Sequence, residues 1–162
     1  MRLPLIDDAA RALRFLTRLP IPARADEDAH AAPDLDRIGA AFPLAGVVVG
    51  AIGALALVAA SGAGLPPLAA ALLGIGAMAL ATGALHEDGL ADIADGFGGG
   101  RTRERKLEIM RDPRVGTFGV VAVVVAIGVE AALLADIAAR HGPLAAGFAL
   151  IATAALSRAA LL

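Results

Sequence analysis

From Ile38 to Leu85, 48 consecutive residues include no Asp, Glu, Lys, Arg or His, and the only hydroxyls among them are Ser61 and Thr82. A helix on a water-soluble protein needs a polar face, and this run has too few polar residues to build one. A bilayer span takes about 20 apolar residues, so the run has room for two. The segment SGAGLPP at 61–67 separates them. Its glycines suit a turn, and Pro67 falls at a first helical position, where a missing N–H costs nothing. The sequence predicts a membrane hairpin whose helices run from Phe42 to Ala60 and from Pro67 to Leu85.

Two further apolar runs follow, TFGVVAVVVAIGVEAALLADIA at 117–138 and PLAAGFALIATAALSRAALL at 143–162. Both are long enough to span, although Glu130, Asp136 and Arg158 weaken them, and ionisable groups at such depth face protein or water. The last run is still apolar at Leu162. A C-terminally truncated chain is therefore expected. The predicted fold is all-α: a polytopic integral membrane helix bundle of about four transmembrane helices plus an N-terminal amphipathic helix. Residues 1–41 form a cytoplasmic or interfacial segment, and 42–162 form the membrane domain with a cytoplasmic loop at 86–116. Without Trp or Tyr, no aromatic belt marks the membrane depth.

Cations orient the helices, because Lys and Arg are retained on the cytoplasmic side. Six arginines lie within residues 1–41, and six cations (Arg101, Arg103, Arg105, Lys106, Arg111 and Arg114) lie within 86–116, whereas the turn at 61–67 has none and that at 136–142 only Arg140. The alternation places the N-terminus and the 86–116 loop in the cytoplasm. Asp7, Asp8, Arg11, Arg14 and Arg18 interrupt any cleavable signal. Ile6, Ala9, Leu13, Leu16 and Leu19 fall instead at helical spacing, which suits an interfacial helix or one packed on the cytoplasmic end of the bundle. Residues 24–37 read as a solvated connector. The basic stretch lacks interleaved aromatics, so no nucleic-acid partner is indicated. Zero cysteines exclude disulfides and thiolate metal sites, and three scattered histidines do not make a zinc site.

The stretch HEDGLADIAD, 86–95, follows the uncharged run directly. If the second membrane helix continues through it, Asp88, Asp92 and Asp95 fall at i, i+4 and i+7, within about 60° of one another. No Lys or Arg between 38 and 100 offsets this stripe locally, and like charges at that spacing repel. An all-oxygen cluster of carboxylates suits a hard cation such as Mg²⁺, which keeps positions for water or phosphate oxygens. The alternative is a solvated helix end.

The segment GGGRTRERKLEIMRDPRVGTFG at 98–119 brings the opposite charge. Acids that hold a metal on phosphate oxygens and arginines that neutralise the transferred group fit phosphoryl transfer from a diphosphate donor. Arg101, Arg103 and Arg105 serve equally well as topology signals, whereas Arg111, Asp112 and Arg114 flank Pro113 in a turn near the membrane. Counting 1.5 Å per residue, Arg158 lies within roughly 10 Å of the cytoplasmic face and Glu130 nearer 20 Å, so the two are not expected to pair. Arg158 then faces the acidic and phosphate region, or snorkels to the interface.

FLTRLPIP at 15–22, FPLAGVVVG at 42–50, ALHEDGLADIADGFGGGRTRERKLEIMRDPRVGTFGV at 84–120 and LSR at 156–158 together resemble the cobalamin synthase, or adenosylcobinamide-GDP ribazoletransferase, family. The resemblance spans nearly the whole chain and is most specific in the central block. It implies a Mg²⁺-dependent enzyme of the bacterial inner membrane that joins α-ribazole, or its 5′-phosphate, to adenosylcobinamide-GDP and releases GMP. It further implies that Asp88, Asp92 and Asp95, with Glu87, hold Mg²⁺ on the donor diphosphate. In that reading a hydroxyl of the ribazole attacks the phosphorus attached to cobinamide, and His86 or a carboxylate takes its proton. Arg111 and Arg114, with Arg101 and Arg158, contact phosphates. A homo-oligomer, or a complex with the other enzymes of nucleotide-loop assembly, is left open, as is the form of ribazole used.

Two other classes fit parts of the pattern. The acid stripe is similar to that of CDP-alcohol phosphotransferases, but their D-G-x-x-A-R motif is not reproduced, since Asp92 and Ile93 stand where Ala and Arg are needed. A divalent-cation channel or transporter would line a path with intramembrane acids. Here the acids cluster at one end, with Glu130 alone deep within a span.

Overall fold

The structure, a computed structural model, describes residues 4–23 and 34–161. Helix α1 (Pro4–Leu16) and the single turn α2 (Leu35–Ile38) precede a 3-10 turn, Gly39–Ala41. Then come α3 (Phe42–Gly62), α4 (Pro67–Thr82), α5 (Leu85–Gly99), α6 (Arg103–Ile109), α7 (Thr117–His141) and α8 (Pro143–Ala159). No strand occurs among the described residues. Residues 24–33 of the expected connector lie outside them, and its remainder forms α2, capped by Asp34 accepting the Arg37 N–H at 3.2 Å.

The four apolar helices predicted from the sequence are α3, α4, α7 and α8. The segment Leu35–Gly62 and α7 are each long and apolar enough to cross a membrane, and α4 with α5 form a bent pair that passes the same test together. At 17 residues α8 is shorter. The bundle is held by close backbone approach. A Cβ on Gly46 would come within 2.7 Å of the Ala155 Cα, and one on Gly50 within 2.6 Å of the Ile151 Cα, so α3 and α8 meet without side chains between them. On the side of α4, Gly53 makes room for the Met78 side chain, and a Cβ on Gly74 would lie 2.9 Å from the Gly53 carbonyl oxygen. Small residues at three- and four-residue spacing are how membrane helices gain dispersion contact when lipid removes the hydrophobic drive. Leu57, Ala70, Ala71, Ala131, Ala146 and Leu150 fill the centre. Val121, Val124, Val125, Val129 and Leu133 of α7 remain exposed, as a lipid-facing surface requires.

Of the two placements open for α1, the structure has it packed: Ala12 and Leu16 are buried against Ile38, Ala41, Phe42 and Ala45. The Phe15 ring stacks on Phe42 with centroids 6.1 Å apart. Asp8 accepts from Arg11 at 3.2 Å and from Arg37 at 3.1 Å, tying α1 to α2. Leu5 and Ile6 stay exposed.

The second hairpin helix does not continue to Leu85 and beyond. It ends at Thr82, and α5 leaves at 91° to it. Gly83 takes φ +67° and Ala84 φ 58°. The Ala84 N–H reaches the Ala79 carbonyl at 2.7 Å and the Gly83 N–H the Leu80 carbonyl at 3.3 Å, the Schellman pattern of a terminated helix. Glycine reaches the left-handed region without strain, and the motif satisfies carbonyls that a straight helix would have bonded further on. The Arg18 N–H takes another of them, the Ala81 carbonyl, at 2.8 Å, so the FLTRLPIP segment is bolted onto the bend.

Candidate functional site

Because α5 is a helix of its own, Asp88, Asp92 and Asp95 keep the one-face spacing expected of them. Glu87 does not share that face: at 100° per residue it lies about 100° from Asp88, and His86 about 160° away. The structure thus divides the acidic stretch into a stripe and an opposite pair. Asp88 is exposed and Asp92 half-buried.

Asp95 is only 8% exposed. Its Oδ2 accepts the Gly116 N–H at 2.6 Å and its Oδ1 the Gly119 N–H at 2.8 Å. These are orphan donors of the first turn of α7, so an acid from α5 caps α7 across the bundle. The contact depends on glycine. A Cβ on Gly119 would lie 2.5 Å from Asp95 Oδ2 and 2.9 Å from the Ala91 carbonyl oxygen. The second glycine-rich turn, Gly116 and Gly119, is therefore the place where α7 approaches α5.

Around this cap lies a cavity of about 300 Å³ whose lining includes Asp95, Arg105, Glu108, Asp112, Arg114 and Thr117. Thr102 begins α6 by accepting the Arg105 N–H at 3.2 Å. Arg105 pairs with Glu108 at 2.7 Å. The turn at Pro113 is pinned by a fork: Arg114 donates from Nε to Asp112 Oδ1 at 3.0 Å and from Nη2 to Oδ2 at 2.7 Å, and its backbone N–H also reaches Oδ1 at 3.0 Å. These bonds hold the Asp112 carboxyl down at about 2. Arg101 and Arg111, both read as phosphate contacts, are exposed on the same loop and line neither polar cavity.

A second polar cavity, of about 270 Å³, opens between α4, α5, α7 and α8. His86 and Glu87 of α5, Glu130 of α7, and Thr153, Ser157 and Arg158 of α8 line it. Glu130 and Arg158 make no ion pair among the described residues, yet both line this one space. Counting depth assumed straight spans starting at the membrane face. At 25 residues, though, α7 is about 37 Å long against a core of about 30 Å, and long side chains add their own reach. Arg158 is only 8% exposed, and its Nη1 donates to Ser157 Oγ at 2.9 Å. Its Nε, with His86 Nδ1 and Glu87 Oε2, is buried without a partner.

Predicted site residues are therefore distributed along α5: His86, Glu87 and Arg158 at one end, Asp95 and Arg114 at the other, Asp88 and Asp92 between. Among the described residues no three His, Cys, Asp or Glu side chains converge as a ready metal-binding group. Sequence reading missed Glu130, Thr153 and Arg105 as site residues. An ionisable residue alone in an apolar span was the signal for Glu130, and the i,i+3 spacing to Glu108 was that for Arg105. Thr153 gives none, because a hydroxyl in a span ordinarily bonds back to its own helix, as Thr153 Oγ1 also does to the Ala149 carbonyl at 2.8 Å.

Residues 8–162 match the family described as cobalamin-5-phosphate synthase. A protein of Azorhizobium caulinodans named adenosylcobinamide-GDP ribazoletransferase is 54% identical over 156 residues, covering 96% of this chain and 59% of that protein. One of Brucella canis with the same name is 51% identical over 158 residues, covering 98% of this chain and 60% of its own. The chain thus spans about three-fifths of the length of these relatives. No solved structure matches it.

Proposed function

The chain belongs to the cobalamin-5-phosphate synthase family, and from that premise we propose that it acts as an adenosylcobinamide-GDP ribazoletransferase. It joins adenosylcobinamide-GDP to α-ribazole, or to its 5′-phosphate, and releases GMP. The observation that carries this reading is the 54% identity over 96% of the chain with a relative of that name. The distribution of cations supports a setting in the bacterial cytoplasmic membrane, with the N-terminus and the 86–116 loop on the cytoplasmic side.

In this reading the donor diphosphate lies along the acid stripe of α5 and the loop that follows it. Mg²⁺ fits the donor set: it is held by one or two carboxylates, and water and phosphate oxygens complete its shell, so a preformed cage of three acids is not required. Asp88 and Asp92 are the first ligands. Each Asp95 oxygen accepts one amide and keeps capacity for a further contact. Bound there, the ion would offset charge on the diphosphate and the departing GMP. Arg105 and Arg114 add positive charge at the cavity, while Arg101 and Arg111 reach outer phosphate oxygens from the loop. Holding the arginines on Glu108 and Asp112 keeps two flexible side chains in place before substrate arrives, and preorganised charge is what stabilises a phosphoryl-transfer transition state. His86 or a carboxylate of α5 accepts the proton of the attacking hydroxyl.

The test uses the protein in liposomes with Mg²⁺, adenosylcobinamide-GDP and α-ribazole, assayed for GMP, with the Azorhizobium relative as control. Release of GMP coupled to adenosylcobalamin, abolished in Asp92→Asn, is expected. If the control turns over and this protein does not, the proposed activity is wrong for this chain. Turnover by both wild type and Asp92→Asn would remove Asp92 from the metal site.

A further inference from the structure

The cavity beside the Asp95 cap carries its charge in pairs. Arg105 is bound to Glu108 at 2.7 Å and Arg114 to Asp112 at 2.7 Å, so the lining sets N–H donors next to carboxylate acceptors. The two pairs differ in what they have left to give. Asp112 already accepts three N–H bonds from Arg114. The Arg105–Glu108 pair is joined through Nη1 and Oε2, and its side chains are 58% and 68% exposed. A guanidinium has five N–H donors and a carboxylate about four acceptor sites, so most of the capacity of this pair is open to a ligand. Apolar groups complete the space. Ile109 and Phe118 line it too, and Phe118 is 58% exposed. A Cβ on Gly98 would come within 2.5 Å of the Phe118 ring, so the glycine run at 98–100 lets that ring rest against the end of α5. Half-open and about 300 Å³ in volume, the cavity is at the lower end of the range for small-molecule sites.

A flat ring with donors along one edge and acceptors along the next fits this lining. Stacking on an aromatic ring suits any nucleobase. The polar pair is more selective. Guanine has two adjacent donors, N1–H and the N2 amine, which match a carboxylate, and beside them O6 and N7, which match a guanidinium. Adenine has an amine in place of O6 and no donor at N1, so it sets donor against donor and acceptor against acceptor. Position agrees with chemistry. The acid stripe ends at Asp95, which lines the cavity, and Asp92 lies three residues, about 4.5 Å along the axis, before it. A diphosphate lying along the stripe therefore carries its nucleoside to this end of α5. We propose that the cavity seats the guanine of the donor, with Glu108 accepting its N1–H and N2 amine, Arg105 donating to its O6 and N7, and the base stacked on Phe118. The proposal rests on the transferase reading above and deepens it: the Arg105–Glu108 pair becomes what selects a guanine nucleotide as donor.

The experiment measures equilibrium binding of GDP, inosine diphosphate and ADP to the protein in detergent with Mg²⁺, by calorimetry, for wild type, Glu108→Gln and Arg105→Lys. Thermal unfolding of each variant, and GMP release from adenosylcobinamide-GDP by wild type, are recorded alongside. Inosine diphosphate lacks only the N2 amine, so wild type should prefer GDP to it by about 10-fold, the effect of one hydrogen bond to a charged acceptor, and GDP to ADP by about 100-fold. Glu108→Gln keeps the shape but turns an NH2 toward one of the donors, and the preference for GDP over inosine diphosphate should fall below about twofold. Arg105→Lys keeps the charge that a phosphate contact needs but loses the fork, so GDP and inosine diphosphate should weaken by about 10-fold while ADP binding is unchanged. If Glu108→Gln discriminates as wild type does, or if Arg105→Lys weakens all three nucleotides equally, the proposal is overturned and the pair does not read the base. If wild type releases GMP yet binds GDP no better than ADP, the guanine seat is wrong while the transferase reading stands. Discrimination that Glu108→Gln erases, in a protein that releases no GMP, would keep the guanine seat and overturn the transferase reading. If wild type neither discriminates nor releases GMP, both fall.

Discussion

Replacing Asp95 by Asn isolates what one buried carboxylate does for the fold. Asp95 Oδ1 and Oδ2 each accept one backbone N–H of the first turn of α7, at 2.8 and 2.6 Å. An Asn keeps one acceptor oxygen and turns an NH2 toward the other N–H, so one bond is lost and two donors face each other. A hydrogen bond to a charged group contributes about 1.5–3 kcal/mol, and the loss of the negative charge at a helix N-terminus adds about 0.3–1 kcal/mol. The expected cost is about 2–4 kcal/mol. For a chain of this size each kcal/mol moves the unfolding midpoint by roughly 2–4 °C, so a fall of about 4–16 °C is anticipated in detergent without added metal. Gly119→Ala attacks the same contact from the other side. Its Cβ would lie 2.9 Å from the Ala91 carbonyl oxygen, a backbone atom that cannot swing away, so the first turn of α7 must retreat from Asp95. Two substitutions that break one contact are not additive. The double variant should cost at least 1 kcal/mol less than the sum of the singles, and amide exchange at residues 116 and 119 should speed up in all three. Full additivity, or an Asp95→Asn protein that melts with the wild type, would refute the idea that this carboxylate fastens α7 to α5.

Gly46→Leu should be among the most destabilising substitutions in the bundle, because a Cβ there already meets the Ala155 Cα at 2.7 Å; overpacking costs about 1–3 kcal/mol or more, readable as a lower unfolding midpoint in detergent. Gly83→Ala tests the bend: the left-handed conformation costs a non-glycine residue about 1–2 kcal/mol, whereas the Cβ contact is with the flexible Arg18 side chain and adds little. The Asp112 carboxyl, held at about 2 against an ordinary 3.8, should titrate near that value by carboxyl NMR and rise toward 3.8 in Arg114→Gln. Because the folded value is depressed, whatever this pair contributes to stability is fully present above about pH 4 and lost as pH falls through about 2; an unmoved titration in the variant would mean Arg114 is not the cause.

The apolar helices were legible because a long run without charges has few ways to fold in lipid, and the break at 61–67 came from Gly and Pro whose backbone limits are local. The acid stripe was equally legible, since periodicity on one helix needs no tertiary knowledge. What could not be read was which way each acid faces. Asp95 looks in sequence like its neighbours Asp88 and Asp92, and only the arrival of Gly116 and Gly119 from more than twenty residues away makes it a cap. Glu130 and Arg158 were assigned separate depths for a related reason. Counting residues fixes position along an ideal straight helix, but not which cavity two long side chains line.

The bend at Gly83–Ala84 is the element on which the rest depends. A straight continuation of α4 would have carried His86 and Glu87 onward with the acids, on one rod leading out of the bundle. Turning by 91° instead sets α5 against α7, so its first turn lines a cavity with α7 and α8 while its last turns line one with α6 and the start of α7. From His86 to Asp95 is nine residues, about 13 Å along the axis. One helix therefore lines two polar cavities near its two ends, with Asp88 and Asp92 between them. A sharp turn made from one glycine and one alanine thus gives ten consecutive residues two different surroundings, an interhelical cavity at His86 and the first turn of α7 at Asp95.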